Sequence, residues 1–232
     1  MTPRQRSFTG AALALLAVPV VCGLMACLPV PIGDPEHSRI DKDMSGVYAD
    51  WADGSFTIFE PFDKRTWLVI ELSIDRRAGA GKSCDEHVVP DSFAVFRAWL
   101  DAEGAGCLAG TNLEVYKAWR SKQGRGWFLT LEPKSLLVTD ERTEDLFDAG
   151  FWVVYHIEDH DEGGLSLRRV DADFEGFEGI KETRRAFEKV IRKHVDSDAL
   201  YDGESRKLMR VEGRDIEIVA EFLEDLLDYD LG

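Results

Sequence analysis

Residues 115–131 read Val115-Tyr116-Lys117-Ala118-Trp119-Arg120-Ser121-Lys122-Gln123-Gly124-Arg125-Gly126-Trp127-Phe128-Leu129-Thr130-Leu131. Two runs rich in aromatic and β-branched residues flank a Gly-x-Gly, and the second run is apolar at nearly every position. This predicts a β-hairpin, with glycine supplying the positive φ that tight hairpin turns need. Twenty residues earlier, Val95-Phe-Arg-Ala-Trp99 followed by Glu103-Gly104-Ala-Gly106 echoes Val115–Trp119 and Gln123–Gly126. Across the twelve aligned positions five residues are identical and three are conservative, so two successive hairpins are expected.

Outward from this centre the chain continues in short strands. Gly46–Tyr48, Phe56–Phe59 and Thr66–Ile74 have strand composition, with Asp53-Gly54 as a turn between the first two. Residues 76–90 lack a period and read as a loop. Phe151–Ile157 is the strongest strand, paired across the polar 158–164 loop with Leu165–Val170. The period then turns helical. Ile180, Phe187, Val190 and Ile191 share one face of 180–195, and Val219, Phe222, Leu223, Leu226 and Leu227 share a stripe of 215–227. Asp202-Gly203 breaks the chain between them, with a last strand at Lys207–Val211. Nine or ten strands in hairpin connection followed by two amphipathic helices predict an α+β fold: an antiparallel β-meander curled into a barrel or half-barrel, with two C-terminal helices.

The amino terminus has a different composition. Arg4 and Arg6 precede the apolar run Phe8–Ala26, which Gly10, Pro19 and Gly23 interrupt; this is the layout of a secretory signal rather than of a membrane-spanning helix. Leu24-Met25-Ala26-Cys27 resembles the bacterial lipobox, with Met25 in place of the usual smaller residue. The resemblance implies cleavage before Cys27, a diacylglycerol thioether on its sulfur and acylation of the new amine, which together hold a membrane stably. Cys22 fits the pattern poorly, since Pro19 stands three residues before it. Leu28 follows the cysteine where Asp would favour inner-membrane retention, so the resemblance implies the outer membrane, facing the periplasm. The chain thus divides into a signal peptide over 1–26, the lipidated cysteine and a flexible Pro-rich tether over 27–44, and one β-rich domain over 45–232. The body is also weakly similar to uncharacterised bacterial lipoproteins and loosely lipocalin-like, through Trp127–Pro133 and Phe151–Ile157 paired with Leu165–Asp171.

Charge and cysteines agree with an envelope address. The formal charge is −16, or −18 once Arg4 and Arg6 leave with the signal. Such a body repels phosphate backbones, so nucleic acid is not an expected partner. Cys84 and Cys107 remain as an even pair in an oxidising compartment, and a disulfide between them is expected, alongside the alternative of two buried thiols.

Candidate chemistry is sparse. Asp171, Asp173 and Glu175, with Glu182 in twelfth position, resemble an EF-hand calcium loop, since Ca²⁺ takes six to eight oxygens. Glu175 is longer than the usual ligand there, Glu178 stands where an apolar residue is usual, and a strand precedes the loop. The plainer reading is acidic residues at a helix start. His156 and His160, among Glu158, Asp159, Asp161 and Glu162, have zinc-ligand chemistry but no third ligand fixed by spacing. Gly81-Lys82-Ser83 fails as a phosphate loop because position 76 is Arg76. There is no G-x-S-x-G, and His37, His87 and His194 sit in no nucleophile–base pattern. Trp67, Trp99, Trp119, Trp127 and Trp152 line either a ligand cavity or a packed core. The sequence therefore predicts a non-enzymatic binding or interaction module of the envelope. Its cofactor is none beyond the lipid on Cys27, and its partner is an envelope protein or a small apolar ligand. The alternatives are a lipocalin-like carrier and a metal- or calcium-dependent module.

Overall fold

The computed structural model describes residues 27–51, 54–76, 108–134, 151–161, 163–213, 215–217 and 219–220. Eight strands form a closed antiparallel barrel in sequence order: β1 (Gly46–Asp50), β2 (Ser55–Pro61), β3 (Trp67–Arg76), β4 (Leu108–Gln123), β5 (Gly126–Lys134), β6 (Val153–Asp161), β7 (Gly164–Val170) and β8 (Tyr201–Arg210). β1 closes on β8 through Tyr48↔Arg210 and Ala49↔Met209. Closure removes the free edges that an open meander would leave.

The hairpin at the centre of the sequence forms as expected. Gln123 pairs with Gly126 across Gly124-Arg125, and Gly124 has φ +63. Only the first central residue is left-handed, which matches the type II′ turn favoured by strand twist. The echo at 95–106 lies outside the described residues. β3 pairs directly with β4, from Trp67↔Ala118 to Arg76↔Leu108, so the barrel closes without residues 77–107.

Strand alternation sorts the side chains into two cores. Tyr48, Phe59, Trp67, Val69, Leu129, Leu131, Leu165, Leu167 and Leu208 come from six of the strands yet form one buried cluster, which only the lumen permits. Met44, fully buried, joins this cluster from the segment before β1. The second cluster lies outside the barrel wall. Phe128, Val154, Val170 and Tyr201 face outward and are covered by Leu28, Ile32, Phe177 and the helix α1 (Arg184–His194). β5 and β6 thus have apolar neighbours on both faces, which explains why Trp127–Leu131 and Phe151–Ile157 are apolar at nearly every position. α1 packs with Phe187 and Ile191 at helical spacing, each worth about 1.5–3 kcal/mol on burial. Arg192, Lys193 and His194 occupy its last turn, where cations suit the dipole.

Four expectations are corrected. First, residues 28–43 do not act as a free tether; they run along the barrel wall with 3-10 turns at Pro35–His37 and Lys42–Met44. Leu28 is bridged to Trp152 by hydrogen bonds of 2.8 and 3.0 Å, and the buried Ile32 carbonyl accepts from Trp119 Nε1 (2.9 Å) and Thr130 Oγ1 (2.7 Å). Apolar Leu28, Val30 and Ile32 bury themselves on the barrel wall, which outweighs the freedom of a Pro-rich linker. Second, the helix does not follow all the strands: α1 sits between β7 and β8. It begins at Arg184 rather than Ile180, because Gly179 has φ +67 and Thr183 is extended. Third, Asp202-Gly203 does not break the chain but lies within β8, where a register shift against β7 absorbs the left-handed Gly203. Fourth, the 158–164 loop is tighter than expected, since β6 runs to Asp161 and β7 starts at Gly164. Of the expected last helix, residues 215–217 and 219–220 are helical, and the remainder lies outside the described residues. Residues 1–26, Cys84 and Cys107 also lie outside them.

Candidate functional site

The barrel has two unlike ends. The turns β2–β3, β4–β5 and β6–β7, together with the start of β1, gather at one, here called the turn end. The connections 77–107, 135–150 and 171–200 join strands at the other, the loop end. Long connections around one mouth of a barrel are where binding residues commonly sit.

Inside the lumen the packing turns from apolar to charged. Arg206 on β8 reaches β2 and β3, strands that are not its neighbours, so its side chain crosses the interior. Its guanidinium donates to Glu71 Oε1 (2.7 Å), Ser55 Oγ (3.0 Å) and Thr57 Oγ1 (3.4 Å), and its Nε lies 3.5 Å from Asp50 Oδ2. Tyr155 also hydrogen-bonds Arg206; burial, and then the nearby Glu71 carboxylate, push its phenol above the usual range. Burial by itself would lower the Arg206 pKa, but Glu71, Tyr155 and Asp50 overcome it and hold the guanidinium charged. This cluster is satisfied internally: each charge has a counter-charge, as buried ions require. It presents a fixed guanidinium, two carboxylates and two hydroxyls to the barrel interior.

Two adjoining clefts lie at the turn end. One cleft of about 680 Å³ is lined by residues 36–40, Lys42, Lys64 and Arg65. A second, of about 410 Å³, adjoins it through His37, Ser38 and Arg39 and is walled by Arg120, Lys122 and Trp127. Ser38 Oγ donates to the Arg120 carbonyl (2.8 Å), and Arg120 pairs with Asp41 at 2.6 Å. The segment entering the barrel thus builds both clefts.

The residues singled out in the sequence fall in several places. Cys27 is half-buried at the loop end beside Trp152, and burial raises its thiol pKa, partly offset by Arg169. Asp171 accepts from the Asp173 amide (2.9 Å) within its own turn, while Asp173, Glu175 and Glu182 point to solvent. Among the described residues no three His, Cys, Asp or Glu side chains come together as metal ligands. His156 faces outward, stacked between Phe128 and Tyr201 with ring centroids 4.9 and 5.4 Å away. Its buried Nδ1 has no hydrogen-bond partner, and burial lowers its pKa. Of the tryptophans, Trp67 fills the lumen, Trp119 points outward to Ile32, Trp127 stands at the rim, and Trp152 pairs with Leu28; Trp99 is outside the described residues.

The sequence reading missed Arg206, Glu71 and the basic clefts. The available signal was phase. Glu71 sits in register with the inward Trp67 and Val69, and Arg206 in register with the inward Leu208. A charge in the apolar phase of a strand needs a partner across the lumen.

No family model matches the chain, and neither a curated protein nor a solved structure matches it.

Proposed function

We propose that the chain is a lipid-anchored, non-enzymatic binding module of the bacterial envelope, attached through Cys27 to the outer membrane and facing the periplasm. It works through its outer surface rather than by carrying a ligand inside. The filled lumen is the observation that carries this choice. Met44, Tyr48, Phe59 and Trp67 are each no more than 1% exposed and occupy the interior at the turn end. Leu129, Leu131, Leu165, Leu167 and Leu208 fill it further, and the Arg206–Glu71–Asp50 cluster adds buried charge, a poor neighbour for an apolar guest.

Two features support the anchor: the lipobox pattern Leu24–Cys27, and the point at which the fold begins. Leu28 is 1% exposed and already part of the wall, so cleavage before Cys27 removes nothing from the described core. With no free linker, a lipid on Cys27 holds the barrel flush against the bilayer, loop end inward.

Fractionation of host cells expressing wild type and Cys27→Ala tests the anchor. Wild type partitions with detergent-extracted membranes, and the variant keeps its leader and incorporates no labelled palmitate. Equal behaviour of the two overturns the anchor. Native mass spectrometry tests the surface reading: ligand-free barrel is expected, and a stoichiometric bound lipid within the barrel contradicts it.

A further inference from the structure

The chain as a whole is strongly acidic, yet the two clefts at the turn end are lined by more cations than anions. Arg39, Lys42, Lys64 and Arg65 line the first cleft with Glu36, and Arg39, Arg120 and Lys122 the second with Asp34; of these cations Arg120 is already paired with Asp41. Asp34 is already engaged by His37 and Arg184. Arg39, Lys42, Lys64, Arg65 and Lys122 have no ion pair among the described residues. Two exposed aromatic rings lie nearby: Trp127 in the wall of the second cleft, and Phe62 in the β2–β3 turn that supplies Lys64 and Arg65 to the first. Phe62, 64% exposed at the β2–β3 turn, has the Lys117 ammonium 6.0 Å from its centroid. Trp127, 39% exposed, has the Arg120 guanidinium at 4.2 Å and Lys122 at 5.5 Å.

We infer that this end docks a carboxylate-bearing glycan of the cell wall, with Lys42, Lys64, Arg65 and Lys122 engaging its anionic groups and the rings of Phe62 and Trp127 packing on its sugars. The inference rests on the lipid-anchored reading above. Cys27 lies at the loop end, so the turn end faces away from the anchoring bilayer, which argues against that membrane as the occupant. A protein partner is disfavoured because the core of a protein interface is depleted of charged residues, whereas the floor of these clefts is polar and cationic. Nucleic acid is disfavoured because so dense a polyanion would be repelled by the acidic remainder of the chain.

The test uses full-length, lipidated protein in neutral detergent, mixed with purified cell-wall sacculi and sedimented. Wild type is expected in the pellet. The triple reversal Lys42→Glu/Lys64→Glu/Arg65→Glu should raise the half-saturation concentration by about tenfold or more, and 0.5 M NaCl should release wild type, about what screening does to exposed charges. Arg185→Glu/Lys189→Glu, a reversal on exposed α1 positions, should bind as wild type does. Lys64→Glu alone, at an exposed turn, serves if the triple variant melts early by circular dichroism, and should weaken binding in the same direction. Wild type left in the supernatant, or reversal without effect, overturns the docking; so does tighter binding to anionic phospholipid vesicles than to sacculi. Intact mass on the same preparation separates the two readings. Lipidated protein that does not sediment defeats the docking alone, and unlipidated protein that does sediment defeats the anchor alone.

Discussion

Replacing Arg206 with methionine is the sharpest test of the charged interior. The change keeps volume and removes the guanidinium, leaving Glu71 and Asp50 without their cation. Breaking a buried pair in this way costs about 3–5 kcal/mol. The side chains here are 23%, 18% and 10% exposed for Arg206, Glu71 and Asp50, so some water reaches them and the lower part of the range applies. Two stranded carboxylates push the other way. The expectation is a loss of about 3 kcal/mol, or a fall of roughly 6–12 °C in Tm for a domain of this size. Adding Glu71→Gln to Arg206→Met removes one stranded charge and should recover about 1–2 kcal/mol, although Glu71→Gln alone destabilises wild type. Urea unfolding followed by tryptophan fluorescence measures all four proteins. An Arg206→Met protein within about 0.5 kcal/mol of wild type, the range of ordinary surface changes, would refute the crossing of the lumen.

Other consequences follow from the outer wall. Trp119→Phe removes one donor to the Ile32 carbonyl and should cost about 1 kcal/mol, while Gly33→Ala places a Cβ 2.3 Å from Ser121 Cβ at φ +75 and should cost about 2 kcal/mol or more; hydrogen exchange should quicken first in residues 28–38, and uniform exchange would contradict the docked segment. Ile191→Ala, at a fully buried position under α1, should cost about 2–5 kcal/mol by urea unfolding, against little for the exposed Lys189→Ala. The His156 pKa is lowered by burial, so the unfolded chain takes up its proton first: stability is full above about pH 6.5 and falls as pH drops through that value to the folded pKa. His156→Phe should remove this part of the pH dependence, and parallel wild-type and variant curves between pH 8 and 5 would contradict it. Cys84 and Cys107 should show no free thiol in protein from the envelope and gain two hydrogens on reduction; reaction of both with a thiol reagent before reduction would rule the bond out.

The strands were legible wherever local composition and period act alone. Phe56–Phe59, Thr66–Ile74 and Trp127–Leu131 are rich in β-branched or aromatic residues, Leu165–Val170 opens on a Leu-Ser-Leu alternation after Gly163-Gly164, and each lies in a barrel strand. Curling into a barrel was legible as well, because a hairpin series has edges to hide. The docked course of 28–43 was not: Pro29, Pro31 and Gly33 speak for a linker, and only the outward apolar faces of β5 and β6, assembled from distant segments, give Leu28 and Ile32 somewhere to bind. The last strand expected at Lys207–Val211 is the second part of β8; its first part was masked by Gly203, a local turn signal overridden by pairing with β7. The charged interior was half-legible. Glu71 is out of place among Trp67 and Val69, but its partner is 135 residues further on, and no local pattern names it. The basic clefts escaped notice because Arg39, Lys42, Lys64, Arg65 and Lys122 come together only when the segment before β1 crosses the turn end.

Under the proposed anchoring, the attachment point would set how the barrel is oriented and what the clefts at its turn end can meet. Intact-mass analysis of the mature protein from its native host tests it most directly. A polypeptide beginning at residue 27, heavier by a thioether-linked diacylglycerol and an amide-linked acyl chain, is the predicted species. A chain that still begins at Met1, or that carries a bare thiol at position 27, would contradict the account.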